Sequence, residues 1–200
     1  MIIKVKTYFN KYWTRLRQYL ESTTFVKQII ILITIITAVL VVIMAWFLSP
    51  NPLINKAAVE LAQTAENIRL FYQTKPGYWG LNGELAIKNN LQASGMMKDG
   101  MLYNAFGKPV IIGQDAAGSI VMPGTRYFMI TFPGLNKSEC TAMAAFRLNE
   151  RESLSLLQME IMTDGKTFEF NWGGKPSLPI TKTDAAKYCG KTNTVSWRFE

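Results

Sequence analysis

The sequence predicts an α+β protein: an N-terminal transmembrane helix and a stalk helix, then a globule with a mostly antiparallel sheet and one disulfide. Three observations predict it. Residues 29–48 form an uncharged apolar run, interrupted only by Thr34 and Thr37. An amphipathic helical pattern follows directly. Beyond it, short alternating runs bounded by turn residues are interleaved with helix caps and carry the only two cysteines, Cys140 and Cys189, the mixture expected of an α+β domain.

The apolar run comes first in the chain. At about 1.5 Å of rise per residue, twenty residues cross a hydrocarbon layer of about 30 Å. A membrane helix over 25–48 is expected, anchored by Ile29, Leu32, Ile36, Leu40, Ile43, Trp46 and Leu48. A secretory signal has a shorter apolar stretch close behind the start and small residues at the cut. Here 28 residues precede the run and its exit reads Trp46-Phe47-Leu48-Ser49-Pro50, so an uncut anchor is expected. Lys4, Lys6, Lys11, Arg15, Arg17 and Lys27 stand before the run against one acid, Glu21, and Lys56 is the only base in the twenty residues after it. That asymmetry puts the N-terminus in the cytoplasm. A single pass through a bacterial inner membrane, with the C-terminal part in the periplasm, is the expected topology.

Residues 1–24 form the cytoplasmic arm. Val5, Phe9, Trp13, Leu16 and Leu20 recur at helical spacing with bases between them, the pattern of an amphipathic helix lying among lipid headgroups or docking on cytoplasmic machinery. The net charge of +8 would otherwise suggest nucleic acid. Topology explains it better, and no nucleic-acid partner is expected.

Residues 49–52 break the helix, because Pro50 and Pro52 lack amide donors and restrict their predecessors. Pro52 suits the first position of a new helix with Asn51 as its cap. A stalk helix over 53–74 follows, its packing stripe formed by Ile54, Ala58, Leu61, Ala65, Ile68 and Tyr72 and opposed by Lys56, Glu60, Gln63 and Asn67. Residues 53–200 are read as one extracytoplasmic domain, comprising this helix and a globule over 75–200.

Within the globule, a short helix is expected at 84–92. Strand-like runs follow at 107–113, 118–123 and 126–133, the first two joined by the loop Gln114-Asp115-Ala116-Ala117-Gly118-Ser119. Asn136 and Glu139 form a capping-box start to a second helix. Residues 154–172 read as two strands around Asp164-Gly165, a strong hairpin signal. A last helix is expected with Thr183 as cap and Gly190 as stop, then a terminal strand with Val195, Trp197 and Phe199 alternating with polar residues.

Cys140 and Cys189 both fall on the side where disulfides persist, and a bridge between them is expected. With no histidine in the chain and no third soft ligand, zinc is not expected, and Ser-His or Cys-His nucleophiles are excluded. The carboxylate pairs Glu150 with Glu152 and Glu160 with Asp164 read as solvated surface. Asn171-Trp172-Gly173-Gly174-Lys175-Pro176 lacks the first glycine, the Ser/Thr and the helix of a phosphate loop. No enzyme, cofactor, metal or small-molecule substrate is expected.

The order of these elements resembles a known family. A membrane helix, a stalk helix, "GYWGLNGELAIKNN", "YNAFGKPVII", "AAGSIVM", "FMITFPGLNKSECTAMA" and "TDAAKYCGKTNTVSWRF" together resemble the type IVb pilins, in their toxin-coregulated and conjugative thin-pilus branch, over residues 54–200. The resemblance implies a pilin-like domain in which Cys140 and Cys189 enclose a variable region and Thr194–Phe199 enter the sheet. At the front the chain departs from it. The family carries a glycine-terminated leader and a glutamate early in the mature stem, whereas here no glycine precedes Gly77 and no acid lies between Glu21 and Glu60. The expected function is therefore a membrane-anchored, non-enzymatic structural component of a pilus, conjugation or type IV secretion assembly, with other subunits as partners in homo- or hetero-oligomers. The alternative is a pilin or minor pilin entering an extracellular filament by an atypical route.

Overall fold

A computed structural model describes residues 23–48, 51–147 and 155–200, and within the first helix the side chains of 28–41. The expectations for residues 1–22, Ser49, Pro50, Glu150 and Glu152, and for the side chains of Ile43, Trp46 and Leu48, lie outside what is described. The chain divides into two units, 1–49 and 50–200.

The first unit contains helix α1, Thr23–Leu48, 26 residues long. Ile29, Leu32, Ile36 and Leu40 are all exposed on it. Thr34 and Thr37 return their hydroxyls to Ile30 O and Ile33 O, at 2.7 and 2.9 Å, so neither leaves a bare polar group on the helix surface. Among the residues whose side chains are described, which in α1 are 28–41 alone, no helix is long and apolar enough to cross a membrane.

The second unit opens with α2, Pro52–Tyr72, started by the Asn51 side chain accepting from Leu53 N at 3.0 Å and by Pro52 in the first turn. A short α3, Gly83–Lys88, ends earlier than expected, because Asn90 turns left-handed at φ 53°. Strands β1, Met97–Lys98, and β2, Met101–Leu102, form a small separate hairpin. Strand β3 is Ile111–Gly113 and β4 is Phe128–Asn136, which runs into α4, Lys137–Ala144. Strands β5, Leu156–Thr163, and β6, Lys166–Trp172, are followed by β7, Ser177–Leu178, α5, Lys182–Tyr188, and β8, Thr192–Phe199.

Six strands form one sheet in the order β3-β4-β8-β5-β6-β7. Every neighbouring pair is antiparallel except β6 with β7. The terminal strand thus lies inside the sheet, between β4 and β5. Its register sets Val195, Trp197 and Phe199 opposite Phe132, Ile130 and Phe128 on one side, and sets Val195 and Trp197 opposite Ile161 and Met159 on the other. Because side chains alternate across a strand, these rows share one face, and all eight residues are buried. They form one cluster with Ala57, Ala58, Leu61, Ala65 and Ile68 of α2.

Two readings of the globule are corrected. Residues 118–123 are not a strand. The loop before them closes on Asp115, which accepts from Ala117 N, Ser119 N and Ser119 Oγ. Val121 then exchanges backbone bonds with Gly80 and Leu81 instead of joining the sheet. The cap of α5 is Thr181, whose hydroxyl accepts from Asp184 N at 3.1 Å, and not Thr183.

Candidate functional site

Two features of the globule hold the sequence-predicted site residues: the stalk helix, and the lobe between the cysteines. On α2, Ala58, Leu61, Ala65, Ile68 and Tyr72 are buried and Ile54 is half-buried. The buried arc is wider than a six-residue stripe, taking in Ala57, Glu60, Ala62 and Thr64 as well. Small alanines let the backbone sink between the sheet and the 93–106 segment. Thr64 reaches that segment by accepting from Ala93 N at 3.0 Å. Outward on the same helix stand Val59 and Leu70, each close to half exposed.

Glu60 departs from the expected polar face. It is 4% exposed, because its carboxylate accepts from Ala105 N at 2.6 Å and lies 3.9 Å from the Lys56 ammonium. Burial raises its pKa, opposed by the Ala105 bond and then by Lys56. The folded chain therefore holds this proton more tightly than the unfolded chain. Stability is expected to fall as pH rises from the ordinary carboxylate value into the window just above it. Glu60→Gln keeps an acceptor for Ala105 N and should flatten that part of the profile, read as melting temperature against pH. Superimposable profiles for the two proteins would refute the assignment.

The lobe is rooted by the expected disulfide. Cys140, in the first turns of α4, is bonded to Cys189, the residue that ends α5, across 49 positions of sequence. The capping box holds one root: Asn136 Oδ1 accepts from Glu139 N at 3.0 Å, and Glu139 accepts from Asn136 N at 2.9 Å. Asn193 holds the other, accepting from Gly190 N at 2.7 Å and donating to Leu135 O and Gly190 O, both at 3.1 Å. Between the roots, β5 and β6 turn through Asp164-Gly165, both left-handed at φ 48° and 74°, the geometry of a type I′ hairpin. Tyr188 of α5 meets the rings of Phe168 and Phe170 edge-on, each at 5.1 Å.

Disulfide, capping box and a central terminal strand now stand together. Solved structures to which the chain is similar include a type IVb pilin and a type IV pilin. Against the crystal structure of the type IVb pilin from Salmonella typhi the identity is 19%, covering 72% of this chain and 97% of that one, with a TM-score of 0.47. Against TcpA, a type IV pilin from Vibrio cholerae El Tor biotype, it is 15%, covering 75% and 100%, with a TM-score of 0.49. No family model matches the sequence, and no curated protein matches it.

Glu160 and Asp164 are held in different surroundings. Asp164 occupies the exposed hairpin turn, whereas Glu160 faces the outer side of the sheet and is paired with Arg198 at 3.3 Å. Burial raises the Glu160 pKa, Arg198 lowers it, and Glu169, directly opposite in register, raises it again. Arg198 also lies over the Tyr127 ring, at 4.8 Å. Among the described residues, no group of three His, Cys, Asp or Glu could hold a metal ion. The sequence reading missed an apolar cavity of about 220 Å³, to which Leu61, Met143, Met159, Trp172, Ile180 and Trp197 contribute. These residues are spread over more than 130 positions, so no local pattern signals it.

Proposed function

We propose that this chain is a membrane-anchored structural subunit, not a catalyst, of a pilus, conjugation or type IV secretion assembly. In this reading α1 is the anchor in the inner membrane and the pilin-like globule meets its partners in the periplasm. The observation that carries it is the succession of two helices. Twenty-six residues of α1 correspond to about 39 Å of helix, more than a bilayer core of about 30 Å, and residues 29–48 carry no charge. Three residues separate it from α2, whose inner face belongs to the core of the globule and whose outer face presents Val59 and Leu70. That outer stripe also supports the second reading, a pilin or minor pilin that enters a filament, since packed copies would cover it.

Crosslinking in cells tests the proposal. Photoreactive residues at positions 59 and 70 of the full chain should join it to other copies of itself or to membrane-bound assembly subunits. Attachment only to lipid, or only to soluble cytoplasmic proteins, would overturn it.

A further inference from the structure

Strand β6 leaves an edge of the sheet open. On its outer side β7 pairs only with Asn171 and Trp172, so residues 166–170 have no strand beyond them. The opposite edge is shielded by its own chain. Gln114 N donates to Ser119 O at 2.8 Å, and a Cβ added at Gly113 would stand 2.5 Å from Ser119 O, one at Gly118 2.7 Å from Ile111 Cγ2. Residues 118–119 therefore run back beside β3. An open edge is a template on which another chain can pair.

The register fixes which groups that edge offers. Thr163 and Lys166 flank the Asp164-Gly165 turn. In a hairpin of this kind the flanking pair is hydrogen-bonded, and bonded and non-bonded pairs then alternate along the strands. Met162 with Thr167 and Glu160 with Glu169 are thus non-bonded pairs, and the N–H and C=O of Thr167 and Glu169 point away from β5. Asn171 has the same parity, and its carbonyl does point away, accepting from Gly174 N at 3.2 Å. Thr167 and Glu169 are exposed, and among the described residues nothing bonds their outward groups.

These groups complement themselves. A two-fold axis through Phe168 lays two copies of β6 antiparallel and sets Thr167 of each opposite Glu169 of the other, so that both outward groups of one residue meet both of the other. β7 blocks the space beside Asn171, so a strand entering this edge must end opposite Phe170. In this register it does, because Lys166 falls there and the chain then turns away at Asp164-Gly165. That turn comes against the segment leading into β7, which brings Asp164 of one copy to Lys175 of the other. Both are exposed, and neither has an ion pair among the described residues. By symmetry the opposite charges meet at both ends of the contact. We propose that the chain pairs with a second copy of itself through β6, antiparallel and centred on Phe168. Such a contact uses the same surface on both subunits and closes as a two-fold pair. It rests on the reading that the chain is an assembly subunit and names one of its interfaces.

The test uses the full chain in its native membrane. Two differently tagged forms, one with Thr167→Cys and one with Glu169→Cys, are produced together and treated with a short bis-thiol reagent. The mixed pair should crosslink severalfold more than either form with itself, since residues of a hydrogen-bonded pair stand about 5.5 Å apart. Lys175→Glu in both forms should lower that yield severalfold. Glu169→Pro removes only an outward N–H, which an edge strand tolerates, and should turn pairs into monomers on native gels with melting little changed. Equal yields from like and mixed pairs, or no crosslink, while photoreactive residues at 59 and 70 still attach to assembly subunits, would overturn this interface but not the subunit role. No attachment at any of these positions would overturn both.

Discussion

Replacing Cys140 with Ser should lower the melting temperature of the full chain by about 10 °C. The bridge spans 49 positions, and on the chain-entropy model a closed loop of that size contributes about 4 kcal/mol. In a domain of this size each kcal/mol shifts the midpoint by about 2–4 °C. The two sulfurs are also buried, so the serine variant carries a hydroxyl and an orphaned thiol into apolar surroundings, which deepens the loss. The damage should be localised. The 140–189 lobe is rooted through α4 and α5 and supplies β5, β6 and β7 on one side of the sheet, whereas α2, β3, β4 and β8 lie outside the loop that the bridge closes, so limited proteolysis should cut first between residues 140 and 189. Unchanged melting of the variant, together with two free thiols in the native protein, would contradict the bridge.

The second large effect is expected at Phe128. Its ring is fully buried and stands in a line of aromatics, 4.7 Å from Tyr78 and 5.6 Å from Phe199, with Tyr72 a further 5.3 Å beyond Tyr78. That line joins the end of α2 to the central strands. Phe128→Ala breaks this line between Tyr78 and Phe199 and should cost about 3–5 kcal/mol, a large share of a total stability of about 5–15 kcal/mol. Equilibrium urea unfolding reads the loss, and Trp79→Ala is the control, since an exposed ring removes little packing from the monomer. Equal midpoints for the two variants would mean that Phe128 does not sit in the core.

Local signals in the sequence carried furthest. The capping box at Asn136 and Glu139 and the Asp164-Gly165 turn each depend on residues within a few positions, and both appear with the expected geometry. The signal that marked Asp164-Gly165 also stands at Asp99-Gly100, where both residues are left-handed and close the small β1–β2 hairpin. Its strands are only two residues long, too short to show the flanking alternation that marks a hairpin in sequence.

What stayed hidden depends on distant partners. Glu60 is four positions from Lys56 and reads as polar surface, but the amide that buries it belongs to Ala105, 45 positions away. Ile120, Val121 and Met122 have the alternation of a strand, yet Gly80 and Leu81 capture Val121 first. The place of β8 between β4 and β5 likewise follows from pairings 30 or more residues apart on each side. The cavity needs α2, α4, β5, β6 and β8 in place at once.

Whether the apolar helix stays joined to the globule is decided by the mass of the chain recovered from its own cells. An anchored subunit yields the intact chain in the membrane fraction, with residues 1–24 still attached. A shorter chain beginning near residue 25 in sheared surface filaments, or a globule free of its first fifty residues in the periplasm, would contradict the anchor.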